Sequence, residues 1–228
     1  MKKIAIIPAR SGSKRIPNKN IKLFLGEPII SYVINTVVKS KLFDEVIVST
    51  DSEEIATIAK QYGASVPFLR SQKNADDFAT TADVLSEVLE EYKKLGKEFD
   101  VACCLYPGSV LVKEIQLGEA LDKLVKNKFD TVFPVIPYSA PIQKAFKANG
   151  DKLKLMWPEN KHVRSQDLER CFYDAGLFWI FAIAPFLNNK TLYADNSGYI
   201  IINEFEAQDI DNESDWIMAE MKFKFLNK

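Results

Sequence analysis

The sequence predicts an α/β protein: a Rossmann-like, mostly parallel sheet flanked by helices, carrying a small inserted arm. Three observations predict it. Short apolar runs alternate with helical patterns through the first half, which calls for crossover connections between parallel strands. The first run, residues 4–8, is continuously apolar, as a strand covered on both faces is. The rhythm then breaks at residue 137 and resumes near residue 175.

Residues 4–8 read as the first strand. Residues 28–39 read as a helix, with Pro28 at its first turn and Ile30, Val33, Ile34 and Val37 on one face. A second strand follows at 46–50. Asp51, Glu53 and Glu54 then put negative charge at the positive end of a helix dipole, opening a helix that runs to Tyr62 and stops at Gly63. Residues 65–69 read as a third short strand, and 71–81 as a polar, irregular segment. Thr80 or Thr81 caps a helix through Lys94, with Val84, Leu85, Val88 and Leu89 inward. A strand at 101–105, a helix at 112–127 and a strand at 131–134 complete the alternating part. Residues 137–172 carry Pro137, Pro141, Gly150 and Pro158 among scattered charges. They read as an excursion of short strands and loop, either a dimer contact or a surface subdomain. Core character returns at 175–182, a last strand lies at 199–202, and an amphipathic helix closes the chain at 213–225. The expectation is one domain over residues 1–228, with the arm at 137–172 inside it.

Composition narrows the function. A chain of 228 residues, 47% hydrophobic and 27% charged, is long and apolar enough to bury a core and is not disordered. Lys plus Arg is 30 and Asp plus Glu is 31, a balance that argues against a general nucleic-acid binder. Cys103, Cys104 and Cys171 form no CxxC pair and no disulfide framework, as expected of thiols in a reducing compartment. The apolar start runs quickly into charge, unlike a signal peptide, and the longest apolar run, 175–187, is shorter than the ~18–20 residues of a membrane span. A cytoplasmic protein with no membrane partner is expected. A single histidine, His162, leaves little material for a Ser-His-Asp site.

The most informative stretch is IPARSGSKRIPNKNIK, residues 7–22. Between Met1 and Gly26 stand seven basic residues and no acidic one: Lys2, Lys3, Arg10, Lys14, Arg15, Lys19 and Lys22. The loop follows the first parallel strand, at the carboxyl end where open α/β sheets bind ligands. Ser11, Gly12 and Ser13 allow close backbone approach to an anion, and Arg10 and Lys14 add charge-assisted hydrogen bonds. GxxxxGK[ST] and GxGxxG are both absent. The loop is either a polyphosphate cradle or a flexible basic surface loop.

The matching candidate for a divalent cation is Asp209-Ile210-Asp211. Residues two apart in an extended segment point to one side, so the two carboxylates face together while Ile210 faces inward. The alternative is a solvated acidic turn before the last helix.

These motifs together resemble the CMP-sugar-acid synthetases, the nonulosonate cytidylyltransferases. IPARSGSKRIPNKN is similar to that family's signature, VSTDSEEIATIAKQYGA to its second βα unit, and QDIDNESDW to its metal-binding end; Arg70, Asp77, Thr80 and Thr81 match its nucleotide segment. PYSAPIQKAFK, RSQDLERCFYDAGLFWIF and the CCLY strand end resemble the branch that activates pseudaminic acid. The resemblance implies a nucleotidyltransferase fold and the reaction of CTP with a nine-carbon sugar acid to give the CMP-sugar and pyrophosphate. It further implies that Ala9, Arg10, Ser13 and Lys14 hold the triphosphate, that Lys19 neutralises charge near the α-phosphate, and that Asn20, Arg70 and Thr81 grip the cytidine. Asp209 and Asp211 would bind one or two Mg²⁺ ions. Gln143, Arg164, Gln166 and Asp167 would lie near the sugar acid, from the arm of a second subunit in a homodimer, with Tyr106, Tyr173 and Trp179 on the same side.

The departures from the family pattern fall on the sugar side. Tyr106-Pro107-Gly108-Ser109-Val110 matches neither usual segment after the fourth strand, Tyr173 stands where the branch has His, and Leu177 replaces a usual Gln. The alternatives are therefore a synthetase for legionaminic, N-acetylneuraminic or deoxyoctulosonic acid, or a catalytically silent nucleotide-binding homologue. Of the aromatic group Phe172, Tyr173, Phe178, Trp179 and Phe181, most is expected to be core, with Tyr173 and Trp179 as candidates to stack on a sugar.

Overall fold

The structure, a computed structural model, describes residues 1–76 and 78–227. Asp77, one of the residues the resemblance points to, lies outside them. The chain begins with β1 (Lys3–Pro8), a short β2–β3 hairpin (Leu23–Phe24, Glu27–Pro28), α1 (Ile29–Ser40), β4 (Glu45–Ser49) and α2 (Glu53–Gln61). The short α3 (Gln72–Ala75) precedes α4 (Thr81–Lys94), β5 (Val101–Leu105), α5 (Glu114–Asn127) and β6 (Thr131–Pro137). An exposed hairpin, β7 (Phe146–Asn149) and β8 (Lys152–Leu155), leads to β9 (Phe172–Asp174), β10 (Phe178–Ala182), α6 (Ile183–Asn189), β11 (Ser197–Ile201) and α7 (Glu213–Leu226).

The central sheet has the order β11-β6-β10-β5-β1-β4, with β9 paired to the far end of β6. β4, β1, β5, β6 and β11 run one way; β10 and β9 run against them. The period-two pleat of β1 divides its buried residues between two layers. Ala5 and Ile7 join α1, α2 and α5 on one face, and Ile4 and Ile6 join α4 and α6 on the other. Continuous apolar sequence follows from this double covering.

The helix starts follow local chemistry. Thr80 and Asp83 form a reciprocal capping box for α4, and Asn212 and Asp215 form one for α7. Ser52 caps α2, and Glu53 and Glu54 stand in its first turn.

Two parts differ from the sequence reading. Residues 65–69 do not form a strand: Ser65 alone bridges Ile47, because Pro67 offers no N–H to extend the ladder. Within residues 71–81, expected to be irregular, Gln72–Ala75 form the short helix α3; the apolar run after residue 182, which apolar character alone does not assign, is the helix α6.

One glycine in the sheet is required by packing. A Cβ at Gly198 would stand 2.4 Å from the Phe129 ring. Gly198→Ala is therefore expected to displace that ring and destabilise the fold by about 1–3 kcal/mol, read as a lowered melting temperature.

A third apolar cluster positions the site. Ile16 in the basic loop, Phe24, Ile29, Val110, Leu111, Ile210, Trp216 and Ala219 pack together. This joins the loop after β1, the turn after β5 and the segment before α7, three pieces far apart in sequence.

Candidate active site

These three pieces wall an open cleft of about 750 Å³ at the carboxyl ends of β1 and β5. Arg10, Ser13, Lys14, Arg15, Lys19 and Asn20 line it from the basic loop, Arg70 and Thr81 from the segment leading into α4, and Tyr106 from the β5 end. Asp174, Gly176, Asp209 and Asp211 line the opposite side. Five basic and three acidic side chains thus face one space, leaving positive charge suited to an anion.

The loop is held by side chains rather than by regular structure. Asp51 accepts from the Ser11 backbone N–H at 2.8 Å and from the Ser11 hydroxyl at 2.7 Å. Asn20, buried, donates to the Arg10 carbonyl at 2.8 Å, closing the loop on itself. Arg10 donates to the Asp76 carbonyl at 2.9 Å. Ala9 is fully buried and donates its N–H to the Ser49 carbonyl at 2.9 Å; it supports the loop from below and does not line the cleft.

Burial pushes the Asp51 carboxyl up, but the Ser11 bonds outweigh it and leave the group below its ordinary value. A depressed folded-state value stabilises the fold above the unfolded carboxyl range, and that stability is lost as pH falls through the folded value. The melting temperature of Asp51→Asn is expected to fall less steeply on acidification than that of the parent protein.

Arg70 is buried at the floor, with Nε 3.1 Å from the Ser49 hydroxyl and its outer nitrogen on the Ser49 carbonyl. A guanidinium spent partly on backbone is fixed in orientation. Thr81, at the first turn of α4, shares a hydrogen bond with the Tyr106 hydroxyl, whose pKa burial pushes up to about 12. Tyr106 is therefore a neutral phenol throughout the physiological range.

The acidic segment behaves as its spacing predicts. Ile210 is buried while Asp209 and Asp211 face the cleft. Burial, then the neighbouring Asp211, raises the Asp209 carboxyl above its ordinary value. Lys19 reaches across to donate to the Ile210 carbonyl at 2.7 Å, and Arg15 pairs with Asp211 at 2.7 Å. Burial lowers the Lys19 ammonium, against the pull of Asp211 and Asp209.

The residues expected near the sugar are less united. Gln143, Arg164, Gln166 and Asp167 all lie in the arm, outside this cleft. Arg164 and Asp167 pair with each other at 2.7 Å, Gln166 lines a separate arm cavity of about 380 Å³, and Gln143 donates to the Glu169 carbonyl. Trp179 corrects the stacking expectation. It is 2% exposed, since β10 is a central strand covered on both faces, and it packs between Phe133 and Tyr193. Tyr173 is partly exposed but meets Tyr138, outside the cleft lining.

Two cleft residues have no role assigned from the sequence. Asp174 is a lone acid beside an apolar strand, and Gln208 has no distinguishing pattern of its own. Arg15 and Asp211 are each conspicuous in the sequence, but their pairing leaves no mark there. Two of the departures from the family pattern are in contact: the Leu177 carbonyl accepts from the Ser109 hydroxyl at 2.8 Å and from the Tyr106 N–H at 3.1 Å.

A family model described as cytidylyltransferase matches residues 4–173. The chain is 36% identical to a pseudaminic acid cytidylyltransferase of Campylobacter jejuni, over 98% of this chain and 97% of that protein. It is 32% identical to a CMP-N,N'-diacetyllegionaminic acid synthase of Legionella pneumophila, over 100% and 98%. Among solved structures, a CMP:2-keto-3-deoxy-manno-octonic acid synthetase complexed with CTP superposes with a TM-score of 0.71 at 15% identity, covering 100% of this chain and 99% of that one. That likeness agrees with the nucleotidyltransferase fold expected from the sequence. A basic cradle at the end of the first strand, a facing acidic pair and a full-length match lead to one conclusion: this chain belongs to the cytidylyltransferase family, enzymes that transfer a nucleotidyl group from CTP.

Proposed function

We propose that this protein activates pseudaminic acid, converting CTP and the acid to CMP-pseudaminic acid and pyrophosphate. The observation that carries the reading is the convergence of the basic loop and the Asp209–Asp211 pair, joined by Lys19 across 191 residues of sequence. Arg10, Ser13 and Lys14 hold the triphosphate, and Asn20, Arg70 and Thr81 hold the cytidine. The acid's anomeric hydroxyl attacks the α-phosphorus in line; the new O–P bond forms as the bond to pyrophosphate breaks. Catalysis of this type is mainly positioning and charge stabilisation. Lys19 would neutralise charge near the α-phosphate.

Asp209 and Asp211 suit Mg²⁺. Their two like charges face one space, and burial plus Asp211 already disfavours ionised Asp209, a cost a divalent cation relieves. Among the described residues no group of three or more His, Cys, Asp or Glu could hold a metal ion by itself, so phosphate oxygens and water would have to complete the shell. When bound, Mg²⁺ would neutralise phosphate charge and polarise the reacting oxygens.

A cytoplasmic homodimer is part of the same reading. Among the described residues no helix is long and apolar enough to cross a membrane. The arm exposes Phe146, Leu153 and Met156, an apolar face that a second copy would cover. Such a dimer would bring Gln143, Arg164, Gln166 and Asp167 towards the partner's sugar side. Light scattering at micromolar concentration should give a dimer mass; a monomer counts against the arrangement.

The decisive assay is pyrophosphate release from CTP and Mg²⁺ against a panel of nonulosonic acids. Turnover confined to pseudaminic acid is expected. Turnover only with another acid, such as legionaminic, N-acetylneuraminic or deoxyoctulosonic acid, would keep the chemistry and move the specificity. The Tyr106–Val110 segment, whose first four residues line the cleft, and Tyr173, both departures from the family pattern, are where that shift would originate. Silence with CTP bound would leave a nucleotide-binding homologue.

A further inference from the structure

We propose that Asp174 orients the sugar acid in this cleft by accepting a hydrogen bond from one of its hydroxyl or acylamino N–H groups. The proposal rests on the cytidylyltransferase reading above and assigns the side of the cleft which that reading leaves open.

Asp174 ends β9 and faces the cleft. Two donors fix its carboxylate: the Gly176 N–H at 2.9 Å on one oxygen and the Tyr193 hydroxyl at 3.0 Å on the other. The Tyr193 ring is itself set against buried Trp179, with centroids 4.5 Å apart. Trp179 therefore serves this side as a support for Tyr193. Gly176, at φ +67°, lies between the two acids of this wall: a Cβ there would come within 3.7 Å of the Asp209 carboxylate. The left-handed backbone there favours glycine, although a Cβ would meet Asp209 only at ordinary contact distance.

Charge decides what this wall admits. Asp209 and Asp211 have Lys19 and Arg15 close by, whereas Asp174 is held by two neutral donors, the Gly176 N–H and the Tyr193 hydroxyl. Burial raises the Asp174 carboxyl above its ordinary value, against the Gly176 and Tyr193 bonds; in its ionised form the carboxylate repels phosphate oxygens and the sugar acid's own carboxylate. It accepts uncharged donors, and each oxygen has lone pairs beyond the single bond it already receives. A polyhydroxylated, acylamino-bearing acceptor presents such donors. Its carboxylate is thereby directed away from Asp174 and towards the basic side, which fixes the acceptor's orientation.

The test compares Asp174→Ala, Asp174→Asn and Tyr193→Phe with the parent protein. Titration calorimetry measures CTP binding without acceptor, and pyrophosphate release gives kcat and the KM for pseudaminic acid. Asp174→Ala is expected to raise the acid's KM about tenfold or more with CTP affinity unchanged within about twofold. Asp174→Asn, which keeps an oxygen for the Gly176 N–H, should be intermediate, and Tyr193→Phe should shift the same KM by about threefold. If Asp174→Ala does not fold, the other two variants decide. An unchanged acid KM in the folded variants overturns the proposal, and so does a loss of CTP affinity that keeps step with it. Parent protein that binds CTP but turns over no acid overturns the underlying reading and this proposal with it, before any variant is made.

Discussion

Asp211→Ala is expected to lower turnover by about 10²–10³-fold while leaving the melting temperature nearly unchanged. The structure separates these two effects. The Asp211 side chain pairs with Arg15, whose side chain is 69% exposed, so the lost ion pair costs little stability. The segment is anchored by other groups: the Asp211 and Asn212 backbone N–H groups donate to Asp215 at 2.8 and 3.0 Å, and Ile210 is packed in the apolar cluster. An alanine keeps all of these. What it removes is one of the two carboxylates of the proposed metal site. Pyrophosphate release and a thermal melt on the same preparation check both halves. Full activity would remove Asp211 from the metal site and return the segment to an ordinary solvated turn.

The alternating half of the fold was legible because its signals are local. Residues 4–8 could be read as a doubly covered strand, and Ile30, Val33, Ile34 and Val37 as one helix face, without knowing what they meet. The direction of β10 was not legible, since an apolar run looks the same in either sense; nor was the strand-to-helix change at Ile183. The site divides likewise. The basic loop is contiguous, so Arg10, Lys14 and Lys19 stood out as unbalanced charge. Asp209 and Asp211 stood out by their spacing, which leaves Ile210 inward. That Lys19 reaches the Ile210 carbonyl is a tertiary fact with no sequence mark. Trp179 was misjudged because an aromatic near a site reads as a platform until both faces of its strand are known to be covered. Asp174 was overlooked because a single acid carries no pattern; its surroundings, a turn glycine and a tyrosine further along the chain, single it out.

Lys19→Met carries the second large effect, and here activity and stability should both move. Lys19 sits in the short 3-10 turn Lys19–Ile21, and its stem is half buried, so a methionine of similar length fills the same space. The ammonium is lost, and with it the bond to the Ile210 carbonyl at 2.7 Å, the tie between the basic loop and the acidic segment. Leaving that part-buried carbonyl without its donor is expected to cost about 1–3 kcal/mol, visible as a lower melting temperature. Turnover should fall by about 10²–10³-fold, because the charge proposed to act on the α-phosphate disappears and the Asp209–Asp211 pair loses a part-buried cation. Lys19→Arg distinguishes the two roles. It restores positive charge but, being larger and forked, does not reproduce a single bond to one carbonyl in a half-buried slot. Activity recovered without stability would assign the catalytic part to charge alone. Loss of both would assign it to the position of the ammonium. Unimpaired turnover in Lys19→Met would show that the bridge is structural, and would take from the proposed mechanism the group it places beside the α-phosphate.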